Sequence, residues 1–144
     1  MSNLQQLMNQ QIANWTLLYT KLHNYHWYVK GPNFFTLHTK FEEFYTEAST
    51  YIDDTAERLL TIGGKPVATL KEVLHLATIT EADGSEKADK MVQVILDDFS
   101  TICKDIDAIL VAAEEAKDEE TADLYLGIKA ALEKHIWMLQ SYLG

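Results

Sequence analysis

The chain has 144 residues, 47% of them hydrophobic, so it is long enough to bury one core and too apolar to be disordered. Twelve Lys and Arg against twenty-two Asp and Glu give a net charge of −10, which argues against general phosphate binding and favours attraction of cations. A lone cysteine, Cys103, excludes an internal disulfide framework, and neither a signal peptide nor a run of ~20 apolar residues is present, so the sequence reads as one cytoplasmic domain over residues 1–144.

The first element is an amphipathic helix from Leu4 to Lys30, on which Met8, Ile12, Trp15, Tyr19, Leu22, His26 and Val29 recur every three or four residues. Gly31-Pro32-Asn33 ends it, and Asn33 is placed to cap the next helix. The second helix runs from about Phe34 to Ile62, with Phe34, Leu37, Phe41, Phe44, Ala48, Tyr51 and Leu59 as its apolar stripe. Gly63-Gly64-Lys65-Pro66 stops it. A long connection follows to about residue 85, and within it Thr69-Leu70-Lys71-Glu72 reads as a capping box opening a short helix. The next long helix starts near Ser85 and carries Val92, Ile95, Phe99, Ile102, Ile106, Ile109 and Ala113. After an acidic break from Glu114 to Glu120, the last helix carries Leu124, Ile128, Ala131, His135 and Met138, closing on Tyr142 and Leu143.

Short first and third connections around a long second one imply two antiparallel helical hairpins joined by a crossover. The fold class is all-α: a ferritin-like four-helix bundle with a short extra helix in the crossover.

The chemistry concentrates between His26 and Glu57, as His26, then His38-x-x-x-Glu42, then Asp53-x-x-x-Glu57. Imidazole nitrogens mixed with carboxylates suit a divalent transition metal such as Fe(II). Taken singly, each has a plainer reading: His26 as a packed core histidine, Asp53 and Glu57 as a solvated face. On a helical wheel of about 100° per residue, His38, Glu42, Asp53 and Glu57 share one face, separate from the apolar stripe. Glu42 and Asp53 are nevertheless about 16 Å apart along the axis. One ion cannot span that, because metal ligands stand only about 2 Å from the metal. An antiparallel second copy of the helix, crossing near Glu47, Ala48 and Ser49, brings Asp53 and Glu57 of one chain against His38 and Glu42 of the other. The intrabundle di-iron pattern of paired Glu-x-x-His motifs is absent; the single such spacing, Glu72 to His75, falls on the crossover helix.

His26-Trp27-Tyr28-Val29-Lys30-Gly31 followed by Leu37-His38-x-x-x-Glu42 resembles the first signature of the Dps mini-ferritins. Ile52-Asp53-Asp54-Thr55-Ala56-Glu57-Arg58 followed by Gly63-Gly64-Lys65-Pro66 resembles the second. The resemblance covers nearly the whole chain. It implies a hollow homo-dodecamer with a ferroxidase site at each two-fold interface. His26, His38 and Glu42 would come from one chain and Asp53 and Glu57 from its neighbour. It further implies oxidation of Fe(II) by hydrogen peroxide, storage of ferric mineral and so protection of DNA, with iron as the only metal and no organic cofactor. Two positions depart from the family: Glu42 stands where Asp is commoner, and Thr55 replaces an aliphatic residue. Asp118, Glu119 and Asp123 resemble an acidic three-fold pore; Glu43 and Glu47 are candidates for mineral nucleation. Trp27 is expected at a subunit interface, His23 at the surface or as an extra ligand, and Cys103, His75 and His135 in structural roles. Direct DNA compaction is the alternative function. Only Met1 to Asn3 precede the first helix and no Lys-rich tail is present, so the sequence argues against it. A metal-free structural bundle is the third reading.

Overall fold

A computed structural model describes residues 2–144 as five helices. They are α1 (Asn3–Tyr28), α2 (Phe34–Thr61), α3 (Leu70–Leu76), α4 (Ala88–Glu115) and α5 (Glu119–Leu143). No described helix is long and apolar enough to cross a membrane. The four long helices form the expected bundle, α1 against α2 and α4 against α5, with α3 lying on α1.

The core comes from one stripe of each long helix. Met8, Ile12, Trp15, Leu18, Leu22 and Tyr25 of α1 meet Leu37, Phe41, Phe44, Ala48 and Leu59 of α2. Ile95, Phe99, Ile102, Ile106 and Ile109 of α4 and Tyr125, Ile128, Leu132 and Leu139 of α5 complete it. Fully burying each such aliphatic side chain contributes about 1.5–3 kcal/mol.

Side chains cap the starts of α1, α3 and α5, and not those of α2 and α4. Ser2 accepts from the Gln5 amide at 3.2 Å, and Asp118 accepts from the Thr121 amide at 3.0 Å. Thr69 accepts from the Glu72 amide at 3.2 Å while its hydroxyl donates to the Glu72 carboxylate at 2.8 Å, so the capping box is present. Asn33 makes no side-chain cap, contrary to expectation; backbone bonds from Phe34 to Gly31 and from Leu37 to Asn33 start α2 instead. Gly31 sits at φ 113°, a left-handed turn open to it because it lacks Cβ. At the α4–α5 corner the Asp118 amide donates to Ala113 and the Lys117 amide to Glu114, the two bonds of a Schellman motif. There Lys117 holds φ 56° where glycine is commoner.

Three sequence expectations shift. The third long helix starts at Ala88; Ser85 instead donates to Asp83 in the preceding turn. Tyr19 is 36% and Met138 43% exposed, so neither is core. The α5 core line runs through Tyr125, Ile128, Leu132 and Leu139, which puts Met138 about 100° away on the outer side. Ala48 is fully buried, as its place in the apolar stripe predicts, so of the two small residues at the proposed crossing only Ser49 lies on the free face.

The crossover is held by polar side chains on buried positions of α1. Asn9 donates to the Lys65 carbonyl at 3.1 Å and accepts from the Val67 amide at 2.9 Å. Asn14 accepts from the Thr78 amide at 2.8 Å and donates to its hydroxyl at 3.1 Å. Lys21 donates to the Thr80 carbonyl at 2.8 Å and to Asp98 of α4 at 2.7 Å. Tyr25 donates to Glu86. Each bond satisfies a group that burial would otherwise leave without water.

Candidate metal centre

His26 lies in the last turn of α1 and His38 early in α2, twelve residues on. The tight corner at Gly31 folds them face to face. Their rings stack with centroids 3.7 Å apart and 14° between planes. His26 Nδ1 donates to the His38 carbonyl at 2.6 Å, and His38 Nδ1 donates to the His26 carbonyl at 2.7 Å. A carbonyl only accepts, so both rings carry their proton on Nδ1. In the neutral ring this tautomer puts the lone pair on Nε2, the form a divalent metal binds. Phe34 stacks on His38 at 4.9 Å and 22°, so that ring is held between Phe34 and His26.

Glu42, one turn beyond His38, places a carboxylate oxygen 3.8 Å from His26 Nε2. That is too far for a hydrogen bond, so the nitrogen stays unengaged. His26 is buried, whereas the Glu42 side chain is 57% exposed. The stacked imidazoles and the exposed carboxylate near His26 lie toward the same corner without closing on a common point.

Asp53 and Glu57 do not join them. Both are exposed, farther along α2, and their carboxylates take no hydrogen bond or ion pair from any described residue. Asp53 lines an open groove with Tyr19, Ser49, Ile52 and Ala56. Among the described residues of one chain, no three His, Cys, Asp or Glu side chains come close enough to hold an ion. Arg58 turns away from these acids and pairs with Asp118 at 2.8 Å.

Several neighbours were not anticipated. Tyr45 stacks on His23 at 3.7 Å and stands edge-on to His26 at 5.4 Å. Its seven-residue spacing from His38, two helical turns, was the available signal. Glu47 is half-buried and accepts from His135 Nε2 at 2.7 Å and from the Tyr51 hydroxyl. It is committed to the bundle and is not a free nucleation carboxylate; Glu43 pairs with Lys40 at 2.7 Å. Asp118 is likewise taken up, by its cap and by Arg58, and does not stand free in an acidic cluster. Its burial raises the carboxyl pKa, but the bonds from Thr121 and Arg58 outweigh that and bring it below the ordinary value. Glu119 and Asp123 are exposed.

The remaining singled-out residues fall as follows. His23 donates from Nδ1 to the Tyr19 carbonyl at 2.7 Å, and Trp27 is 66% exposed beside it. Glu72 and His75 are both on the outside of α3. Cys103 is half-buried, and burial pushes its thiol up to about 11, so it is an unreactive thiol at neutral pH.

Residues 5–144 match the ferritin-like domain family. General stress protein 20U of Bacillus subtilis is 56% identical over 139 residues, covering 96% of both chains. DNA protection during starvation protein 2 of Bacillus anthracis is 53% identical, covering 96% of this chain and 95% of its own. The crystal structure of Dps from Staphylococcus aureus superposes with a TM-score of 0.97 at 48% identity, covering 99% of this chain and 95% of that one. The Dps of Vibrio cholerae, described as a member of a broad superfamily of ferritin-like diiron-carboxylate proteins, superposes with a TM-score of 0.94 at 35% identity, covering 98% and 89%.

Proposed function

The chain belongs to the Dps proteins of the ferritin-like family, and from that membership we propose that it captures Fe(II), oxidises it with hydrogen peroxide and stores the ferric product inside a hollow homo-dodecamer. Iron is substrate and cargo here. The observation that supports the reading is the His26–His38 pair, whose crossed hydrogen bonds engage both Nδ1 atoms and leave both Nε2 atoms without a hydrogen bond, that of His26 3.8 Å from Glu42. A histidine pair serving only as packing has no need of a free Nε2 facing a surface carboxylate, as His26 has.

His26, His38 and Glu42 supply half of each site. Asp53 and Glu57 of a second copy, lying antiparallel across a two-fold axis, supply the rest. Their carboxylates are free of partners in their own chain, which suits ligands awaiting a neighbour. The mixed nitrogen and oxygen set fits Fe(II). Carboxylates stabilise the more highly charged Fe(III) over Fe(II), so oxidation is favoured where the ion sits. Each peroxide accepts one electron from each of two Fe(II) ions, its O–O bond breaks, and both oxygens leave as water once protonated. Consuming both electrons in pairs limits hydroxyl-radical release.

Protection of DNA follows from removing Fe(II) and peroxide together. A net charge of −10 per chain makes direct binding to the phosphate backbone unfavourable. The working compartment on this reading is the cytoplasm.

The test is anaerobic Fe(II) titration followed by peroxide, on protein whose mass is measured by light scattering. Saturable binding, a dodecameric mass and oxidation faster than in buffer are expected. A monomer, or oxidation at the buffer rate, overturns the reading.

A further inference from the structure

His38 is tethered at one ring atom. Its Nδ1 donates to the His26 carbonyl at 2.7 Å. That bond chooses which nitrogen faces the carbonyl, but hydrogen bonds tolerate a wide range of angles. The torsion that tilts an imidazole about Cβ–Cγ is itself broad. Tilt is what aims Nε2, the atom a metal would meet. A ring free to tilt gives up that freedom on binding, which weakens capture.

The two faces of the ring fix the tilt. His26 lies on one at 3.7 Å and 14°, and Phe34 on the other at 4.9 Å and 22°. An imidazole between two near-parallel rings tilts only if they part. Neither is loose. His26 is buried, and its Nδ1 donates to the His38 carbonyl at 2.6 Å. Phe34 packs against the bundle core, its amide donates to the Gly31 carbonyl at 3.1 Å, and Phe35 meets its ring edge-on at 5.5 Å. Phe34 stands one turn before His38 on α2, the spacing at which two helical side chains meet. An aliphatic residue there would cover the same apolar surface, but it has no flat face to set against an imidazole.

We propose that Phe34 is a positioning residue for Fe(II) capture: its ring closes the open face of His38 and, with His26 on the other face, holds Nε2 on one bearing before the ion arrives. The inference rests on the iron-binding reading above. It gives Phe34, which the apolar stripe of α2 marks only as a core residue, a second task at the α1–α2 corner.

The experiment is anaerobic titration with Fe(II), and with Co(II) read by its visible absorption, on the assembled wild type, Phe34→Leu, Phe34→Ile and Phe34→Tyr. Leucine and isoleucine keep an apolar side chain without a flat face, so the assembly mass should hold. Losing an outer partner that orients a metal-binding histidine weakens affinity about tenfold or more, and this loss is expected for both. Phe34→Tyr returns the flat face and should return wild-type affinity. Affinity is expected to follow the ring and not the melting temperature, a pattern that a merely structural role does not produce. Wild-type affinity in the aliphatic variants, or no recovery in Phe34→Tyr, overturns the proposal while leaving the iron reading in place. Should one aliphatic variant misfold, the other decides; should both, Phe34 is a folding residue and the proposal falls. A wild-type protein that binds neither metal overturns both readings.

Discussion

Glu47 and His135 tie α2 to α5: the imidazole Nε2 donates to one carboxylate oxygen at 2.7 Å while Tyr51 donates to the other. Burial raises the pKa of this carboxyl, but the bonds from His135 and Tyr51 outweigh it and bring it below the ordinary range. A carboxylate with a lowered folded pKa stabilises the fold above its unfolded pKa, and that stability is lost as pH falls through the folded value. Glu47→Gln should therefore melt below wild type at neutral pH, with the two curves converging below about pH 4. Thermal melts across that range check it, and parallel curves would show that the charge contributes nothing.

Thr55 is fully buried and its hydroxyl bonds the Tyr125 hydroxyl at 2.9 Å, so the departure from an aliphatic residue has a partner on α5. Thr55→Val keeps the shape and strands the buried phenol, at a cost of about 1–3 kcal/mol. Adding Tyr125→Phe should recover part of that loss. Urea denaturation of the single and double variants measures both steps.

If each iron site is shared across a two-fold axis, His38→Ala and Asp53→Ala should each abolish fast oxidation alone. In a mixed dimer one site collects both defects and the other none. Random equimolar mixing before assembly should then restore about one quarter of the wild-type sites, because half the dimers are mixed and each has one sound site. A site complete within one chain would give no restoration, and peroxide-dependent oxidation rates distinguish the two.

Asp118 and its acidic neighbours should separate into two classes. Asp118→Ala removes the α5 cap and the Arg58 partner, and is expected to lower stability by about 1 kcal/mol or more. Glu119→Gln and Asp123→Asn are exposed and unpaired, so they should leave the melting temperature unchanged. A slower Fe(II) uptake in those two alone would assign iron attraction to them and a structural role to Asp118. Melting curves and uptake rates on the same samples decide it.

The helices were legible because apolar residues recur at three and four, and the lengths of the connections fixed the hairpin pairing. Which of two adjacent lines faces inward was not. Met138 and Leu139 both fit a helical repeat, and only the packing of α4 chooses Leu139. Ala48 fitted both the apolar stripe and the proposed two-fold crossing, because size alone does not tell close helix contact inside a bundle from contact outside it; the structure keeps the first. His26, His38 and Glu42 were legible as ligand types at helical spacing; the structure stacks His26 on His38 and leaves Glu42 3.8 Å from His26 Nε2, without gathering three ligands round one point. The crossed Nδ1 bonds were not legible, since they depend on the angle at the α1–α2 corner. Spacing puts Tyr45 on the His38 face two turns on, but its ring contacts come from α1 and depend on that same corner. Asn9, Asn14 and Lys21 carried no readable signal, because their partners are mainly backbone groups of the crossover.

Those three α1 side chains have a bearing on how the chain is made. Their partners lie 56, 64 and 77 positions downstream. A growing polypeptide completes its first hairpin with two amides and an ammonium still hydrated; the amides find partners once the crossover is made, and the ammonium its counter-charge only once Asp98 has been synthesised. The first hairpin therefore cannot mature alone; it waits on the second, and the two stand or melt as one cooperative unit.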